Sequence, residues 1–317
     1  MSVSRKKPPA GAALRLNYLA ADKGFLEPDR AAAAAAAAAA AVVIPYGLEA
    51  SVSYGGGTAA GPAAILQASQ QLELFDEELW RQPCRDFGVA TLQPPEIPAK
   101  IEDALAQLAA LTGTVLDAGR FPLVLGGEHS LTAGAIRPFA ERYSDLVVLQ
   151  FDAHADLRDG YLGAHYSHAS AMRRVLDHPA VSLVAVGIRA ISAGEIPFLE
   201  ANRQRLHMHF AKDMADWELA NMLAPLAGRH VYVTFDIDGL DAGIMPATGT
   251  PEPGGLSFWQ ACKILRRAGE ISSIVGADVV ELAPIAGLHA CDFTAAKLAY
   301  KIMSYALCDA IGDKVPG

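Results

Sequence analysis

Cysteine is scarce in this chain. Its four cysteines, Cys84, Cys262, Cys291 and Cys308, lie far apart, and no two have C-x-x-C spacing. That excludes a zinc knuckle and a disulfide scaffold and fits a reducing compartment. Positive charge is short as well: the formal net charge is −9, and Arg5-Lys6-Lys7 is only a brief basic cluster. A nucleic-acid partner is therefore disfavoured, whereas a small cationic substrate suits the sign of the field. Long apolar runs are missing too. The longest, residues 31–44, is mostly alanine and falls short of the ~20 residues that cross a bilayer. No signal-peptide-like apolar core follows the opening basic triplet. A cytoplasmic protein without a membrane segment is expected.

Apolar residues, by contrast, make up 52 % of the 317 residues and charged residues 19 %. That is ample for a large core. No internal repeat or linker-like stretch divides the chain, so a single domain over residues 1–317 is expected. Residues 1–41 read as a variable N-terminal segment containing the alanines Ala31 to Ala41. Alanine favours a short helix there, and the run carries no functional information. Strand-length apolar runs recur at 41–45, 86–90, 122–126, 146–152, 181–187, 205–209, 230–236 and 273–282. Helical spacing marks 100–119, 131–143, 257–268 and 294–310. Alternating strand and helix predicts an α/β fold, a mostly parallel sheet with helices on both faces. Such sheets bind ligands at the carboxyl ends of their strands.

Three of those ends are unusually polar. "QFDAHADLRD" (150–159) follows a buried-strand pattern with Asp152, His154 and Asp156. Side chains two apart on a strand share a face, so these three converge. "FPLVLGGEHS" (121–130) supplies His129 after a glycine pair, and "VYVTFDIDGLD" (231–241) supplies Asp236 and Asp238. A lone histidine after a glycine turn is usually a loop or cap residue, and a D-x-D can merely cap the next helix. D-x-H-x-D on one face of a buried strand has few structural excuses. Together the clusters predict a polynuclear metal site. Asp152, Asp156, Asp236 and Asp238 bring four negative charges together, which mutual repulsion would partly neutralise by protonation. Two divalent cations balance them and lower the pKa of a water held between them. Ligands of oxygen and imidazole nitrogen, without thiolate, favour two Mn²⁺; Ni²⁺ or Co²⁺ could substitute, and Zn²⁺ is disfavoured.

These stretches resemble the ureohydrolase family of arginases and agmatinases, and the agmatinase branch most. The resemblance is carried by "GGEHS" (126–130), "DAHADLRD" (152–159), "YSHAS" (166–170), "VGIR" (186–189), "DIDGLD" (236–241), "TGTPEPGGL" (248–256) and "VVELAP" (279–284). It implies a three-layer α/β/α sandwich around an eight-stranded sheet, and homo-oligomers, trimers or hexamers. It also implies one Mn²⁺ on His129, Asp152, Asp156 and Asp236, the other on Asp152, His154, Asp236 and Asp238. Ala59 and Leu66 stand where agmatinases usually carry arginine.

The reaction implied is water attack on a guanidinium carbon. Asp156 would hold the attacking water and take its proton. His168 is the family-matched residue to protonate the leaving amine, with His165, three residues away, as its rival. Glu281, at the end of the last strand with no Lys or Arg beside it in sequence, suits the guanidinium through paired charge-assisted hydrogen bonds. A structural salt bridge is its plainer alternative. Leu157, Arg158 and Asp159 follow Asp156 where arginases carry an Asn and a Ser/Thr-rich loop that grip an amino-acid head group. Agmatine is therefore the expected substrate, hydrolysed to putrescine and urea. 4-Guanidinobutyrate or another ω-guanidino compound is the alternative, kept open by Arg158, and arginase activity ranks lower. A mononuclear-zinc deacetylase of related fold and a non-catalytic homologue are both disfavoured, because no ligand, His168 or Glu281 is lost.

Overall fold

A computed structural model describes residues 15–26 and 38–308 of the chain. Residues 31–37, where alanine favours a helix, and residues 309–310, at the end of the last expected helix, lie outside the described residues. Eight strands form one sheet: β1 (Ala41–Tyr46), β2 (Val89–Thr91), β3 (Phe121–Gly126), β4 (Val147–Phe151), β5 (Ser182–Ile188), β6 (Leu206–Phe210), β7 (His230–Asp236) and β8 (Ser273–Val280). Their order is β2-β1-β3-β8-β7-β4-β5-β6. Every pairing is parallel, beyond the mostly parallel sheet expected.

Buried on both faces, the strands read as near-continuous apolar runs. Val43, Leu123, Leu149 and Val233 point into one core, shared with the helices Phe258–Ile271 and His289–Leu307. Val42, Val124, Val148 and Tyr232 point into a second core on the opposite face, covered by the helix Ile101–Asp117. The result is three layers, helix on sheet on helix.

Three expectations shift. Asp86 and Phe87, expected in a strand, close the short helix Pro83–Phe87, and Gly88 ends it at φ 65°. Proline pre-sets the first helical turn and glycine accepts the left-handed exit, so only Val89–Thr91 remains as strand. The helix expected over 131–143 is divided into Thr132–Ala135 and Arg137–Arg142. Pro138 cannot donate to the carbonyl four residues back. The last helix starts at His289, ahead of the expected 294, because the chain turns helical directly after Gly287 at φ 83°.

The strand order places the chemistry. The chain leaves β3 and re-enters the sheet at β4, three places away, and β8 and β7 fill the gap later. The adjacent carboxyl ends of β3, β8, β7 and β4 thus open on one crevice.

Candidate active site

Three of those ends deliver the Asp/His cluster, and the fourth, after β8, delivers Glu281. Beyond β3, Gly127 passes so close to the Leu48 carbonyl that a Cβ there would sit 2.0 Å from its oxygen. Only glycine turns the chain so tightly, and His129 follows, 1 % exposed. Asp152, His154 and Asp156 continue from β4; Asp236 ends β7, and its side chain accepts the Asp238 N–H, capping the turn Ile237–Gly239. Gly239 lets that turn lie against β4: a Cβ there would be 2.8 Å from the Asp152 nitrogen.

The structure brings together all six residues expected at the metal site. His129 Nδ1 lies 3.2 Å from Asp152 Oδ2, 3.1 Å from Asp156 Oδ2 and 3.4 Å from Asp236 Oδ2. His154 Nδ1 lies 3.0 Å from Asp238 Oδ2 and 3.6 Å from Asp152 Oδ1. Two ligand groups result, His129–Asp152–Asp156 and Asp152–His154–Asp238, each with donor atoms within 4.8 Å of one another. Asp152 belongs to both and turns a different oxygen to each, while Asp236 stands beside the first.

The donor set fits cations. His129 Nδ1 is buried without a hydrogen-bond partner. Its other nitrogen, Nε2, lies 2.8 Å from Thr234 Oγ1, which gives its own hydrogen to Asp278 Oδ1 at 2.7 Å. Thr234 can therefore only accept from Nε2, which leaves a lone pair on Nδ1 of the neutral ring. A lone pair aimed at three carboxylate oxygens needs a cation between them, or a proton.

The titration of the group says the same. Burial opposes charge on His129, yet Asp152, Asp156 and Asp236 push its pKa well above the imidazole range. Burial likewise opposes charge on His154, but Asp152 and Asp238 raise it to about 12. Burial first, and the Asp152 charge second, lift Asp156 to about 7. Burial, then Asp238 and Asp152, lift Asp236 well above the carboxylate range. Asp152 is driven down in spite of burial, because His129 and His154 both face it. Without cations, the cluster keeps protons where divalent metal would sit.

A cavity of about 400 Å³ opens over the cluster, and His154, Asp156, Asp236, Asp238, His168 and Glu281 all line it. Glu281 accepts the His129 backbone N–H at 2.6 Å, and among the described residues no Lys or Arg pairs with it. Burial raises it to about 8. Glu281 and Asp156 both hold left-handed backbone, at φ 65° and 53°, a strain that side chains bear chiefly at functional sites. His165 does not line the cavity; its ring packs against the Arg174 guanidinium instead, with Nδ1 2.6 Å from Nη1. Arg158 does line it, stacked on Tyr161 at 5.3 Å. The neighbouring carboxylate, Asp159, joins Arg173 and Arg174.

Sequence reasoning missed a layer beneath the ligands. Gln150, Thr234 and Asp278 stand side by side in register on β4, β7 and β8. Gln150 donates to Asp152 Oδ2 at 2.9 Å, and Asp278 accepts from Thr132, Tyr232 and Thr234. A signal existed: each is a polar residue inside an apolar strand, and Gln150 and Thr234 precede a ligand by two.

The family model described as "Arginase family" matches residues 39–305. A Synechocystis protein named N(1)-aminopropylagmatine ureohydrolase is 38 % identical over 297 residues, which cover 91 % of this chain and 95 % of that protein. An agmatinase from Bacillus anthracis is 35 % identical over 254 residues, covering 77 % and 84 %. Among solved structures, the agmatine ureohydrolase of Thermoplasma volcanium matches with a TM-score of 0.76 at 28 % identity, over 85 % of this chain and 90 % of that one.

Proposed function

Because the chain belongs to the arginase family, and is thus a metal-dependent amidinohydrolase, we propose that it hydrolyses agmatine to putrescine and urea. One observation carries this reading: Glu281, which meets no Lys or Arg among the described residues, lines the same cavity as the Asp/His cluster. Burial raises its pKa to about 8, so a guanidinium bound there would draw off its proton and make it the counter-charge, beside residues suited to activate water.

Two Mn²⁺ ions are the proposed cofactors, with Ni²⁺ or Co²⁺ as substitutes, held by His129, Asp152, His154, Asp156, Asp236 and Asp238. Such ions, when bound, make a nucleophile of water near neutral pH. The chain's own residues do the rest. Glu281 anchors the guanidinium through charge-assisted hydrogen bonds. Asp156 orients the attacking water and takes its proton. As the C–N bond breaks, His168 protonates the leaving nitrogen. The balance is R–NH–C(NH₂)₂⁺ plus H₂O giving R–NH₃⁺ plus urea.

Leu157, Arg158 and Asp159, following Asp156, offer no set of partners for the ammonium and carboxylate of an α-amino acid. A carboxylate would find Arg158 on the cavity wall, but an amino-acid head group as a whole would be desolvated for little return. Agmatine avoids that cost, and the chain's net charge of −9 favours approach of a dication. A second reading is N(1)-aminopropylagmatine, the compound named for the Synechocystis relative; it carries the same guanidino group on a longer cationic tail. The enzyme is proposed to work in the cytoplasm as a homo-oligomer, a trimer or hexamer, as the family resemblance implies.

Urea release from agmatine, N(1)-aminopropylagmatine, 4-guanidinobutyrate and L-arginine tests the reading. The expected kcat/KM for agmatine exceeds that for L-arginine by at least about 10², roughly 2.7 kcal/mol of transition-state discrimination. Glu281→Gln should slow every substrate. Preference for L-arginine would overturn the assignment, and preference for 4-guanidinobutyrate would shift it to a carboxylate-tailed substrate with Arg158 as the partner.

A further inference from the structure

Two serines bracket the ring of His168. Ser51 Oγ lies 2.7 Å from Nδ1, and Ser53 Oγ lies 2.7 Å from Nε2. Ser51 in turn donates to Glu128 Oε2 at 2.9 Å. Glu128 is 1 % exposed, and four donors converge on it: the N–H groups of Ala50 and Ser51 and the hydroxyls of Ser51 and Ser130. Neither Glu128 nor Ser51 belongs to the ligand groups.

The hydrogens available fix the state of the ring. A hydroxyl has one hydrogen and two accepting lone pairs. Ser51 gives its hydrogen to Glu128 and accepts the His168 backbone N–H at 3.1 Å. One lone pair remains, and it faces Nδ1. Nδ1 must therefore carry a proton, which in a neutral imidazole leaves Nε2 bare. Ser53 donates to the Tyr161 hydroxyl at the longer distance of 3.4 Å, and its hydrogen, turned instead to the ring, reaches Nε2 at 2.7 Å.

We propose that Ser51, anchored by Glu128, is the positioning residue that holds His168 as its Nδ1–H tautomer, with Nε2 presented to the leaving nitrogen. This rests on the reading of His168 as the donor to that nitrogen. Hydrolysis turns R–NH– into R–NH₃⁺, so the leaving nitrogen gains both protons of the water consumed. One passes through Asp156 and the other through Nε2, and the electron pair of the broken C–N bond stays on nitrogen. While the ring carries that proton, Nδ1–H still points at Ser51, whose oxygen is polarised by Glu128. The ring need neither rotate nor change tautomer between turnovers.

The test uses Mn²⁺-loaded full-length enzyme and the variants Ser51→Ala, Ser51→Thr, His168→Asn and Ser51→Ala with His168→Asn. Ser51→Ala is expected to lower kcat by about 10–10², part of the loss typical for removing a general acid, with metal content unchanged. Ser51→Thr, which keeps the hydroxyl, should restore most of it. Adding Ser51→Ala to His168→Asn should cost nothing further, since the two act as one unit. If His168→Asn runs at the wild-type rate, the reading of His168 itself falls. If His168→Asn is slow but Ser51→Ala is not, or the losses multiply, the role of Ser51 alone is overturned. Should Ser51→Ala lose metal, ring ¹⁵N shifts of unmutated enzyme loaded with diamagnetic Zn²⁺ decide: an Nδ1-protonated His168 supports the proposal, and an Nε2-protonated one refutes it.

Discussion

Asp278 orients His129 without touching it. Thr234 stands between them, giving its hydrogen to Asp278 at 2.7 Å and facing His129 Nε2 at 2.8 Å. Asp278 is fully buried and is itself fixed by the hydroxyls of Thr132 and Tyr232 at 2.9 and 2.8 Å. The carboxylate dictates which way the threonine points, and the threonine dictates which imidazole nitrogen is left for metal. Thr234→Val removes that instruction with little change of shape. It should weaken Mn²⁺ binding by about 10–100-fold, the usual cost of losing a partner behind a metal ligand. Titration of metal-stripped protein with Mn²⁺ checks this, and unchanged affinity would mean that the Asp278 chain is only structural.

Metal and pH should be coupled in stability. A buried carboxyl whose pKa is raised on folding stabilises the fold while protonated, and that stability is lost as pH climbs to the folded value. Asp156 is raised to about 7 and Glu281 to about 8, from unfolded values of ~3.9 and ~4.3. His154, raised to about 12, acts in the same direction above its unfolded value of ~6.5. Metal-stripped protein should therefore lose Tm as pH rises from about 5 to 8, while Mn²⁺ restores more Tm at the upper end. Thermal melts with and without Mn²⁺ read this out; a stripped protein that gains stability over the same range would contradict the crowded-carboxylate account.

His168 and His165 offer a sharp contrast. His168→Asn should retain metal while lowering kcat by roughly 10²–10⁴, the scale of a lost general acid. His165, tied to Arg174 and outside the cavity, should tolerate the same change with little loss of rate. Steady-state kinetics with metal analysis distinguishes them, and the reverse ranking would assign proton delivery to His165.

Much of this architecture is legible in the sequence because the residues that matter obey short-range rules. Period two predicts that Asp152, His154 and Asp156 meet, and they do, but β4 ends at Phe151 and the loop beyond it brings them in, with Asp156 at φ 53°; apolar runs announce the parallel strands. The helix break before Pro138 and the helix at Pro83–Phe87 are local proline and glycine effects that apolar spacing overrides on reading. What stays hidden depends on register. Nothing adjacent in sequence says that Gln150, Thr234 and Asp278 stand side by side, because strand order and stagger join residues 84 and 44 positions apart. The same holds for Ser51 and His168, 117 residues apart, which meet only in the folded chain. Arg158 shows the limit from the other side: its sequence neighbour Asp159 looks like a partner, and folding gives that carboxylate to Arg173 and Arg174.

The most direct test of the whole account is a metal count made together with a urea assay. Enzyme stripped of metal is titrated with Mn²⁺, and bound ions per chain are measured alongside urea released from agmatine. Six ligand residues, with Asp152 shared between two groups, predict that urea production rises to its maximum as two ions bind per chain. Asp152→Ala should abolish both the second ion and the activity. Full activity with one ion or none would contradict the two-metal centre.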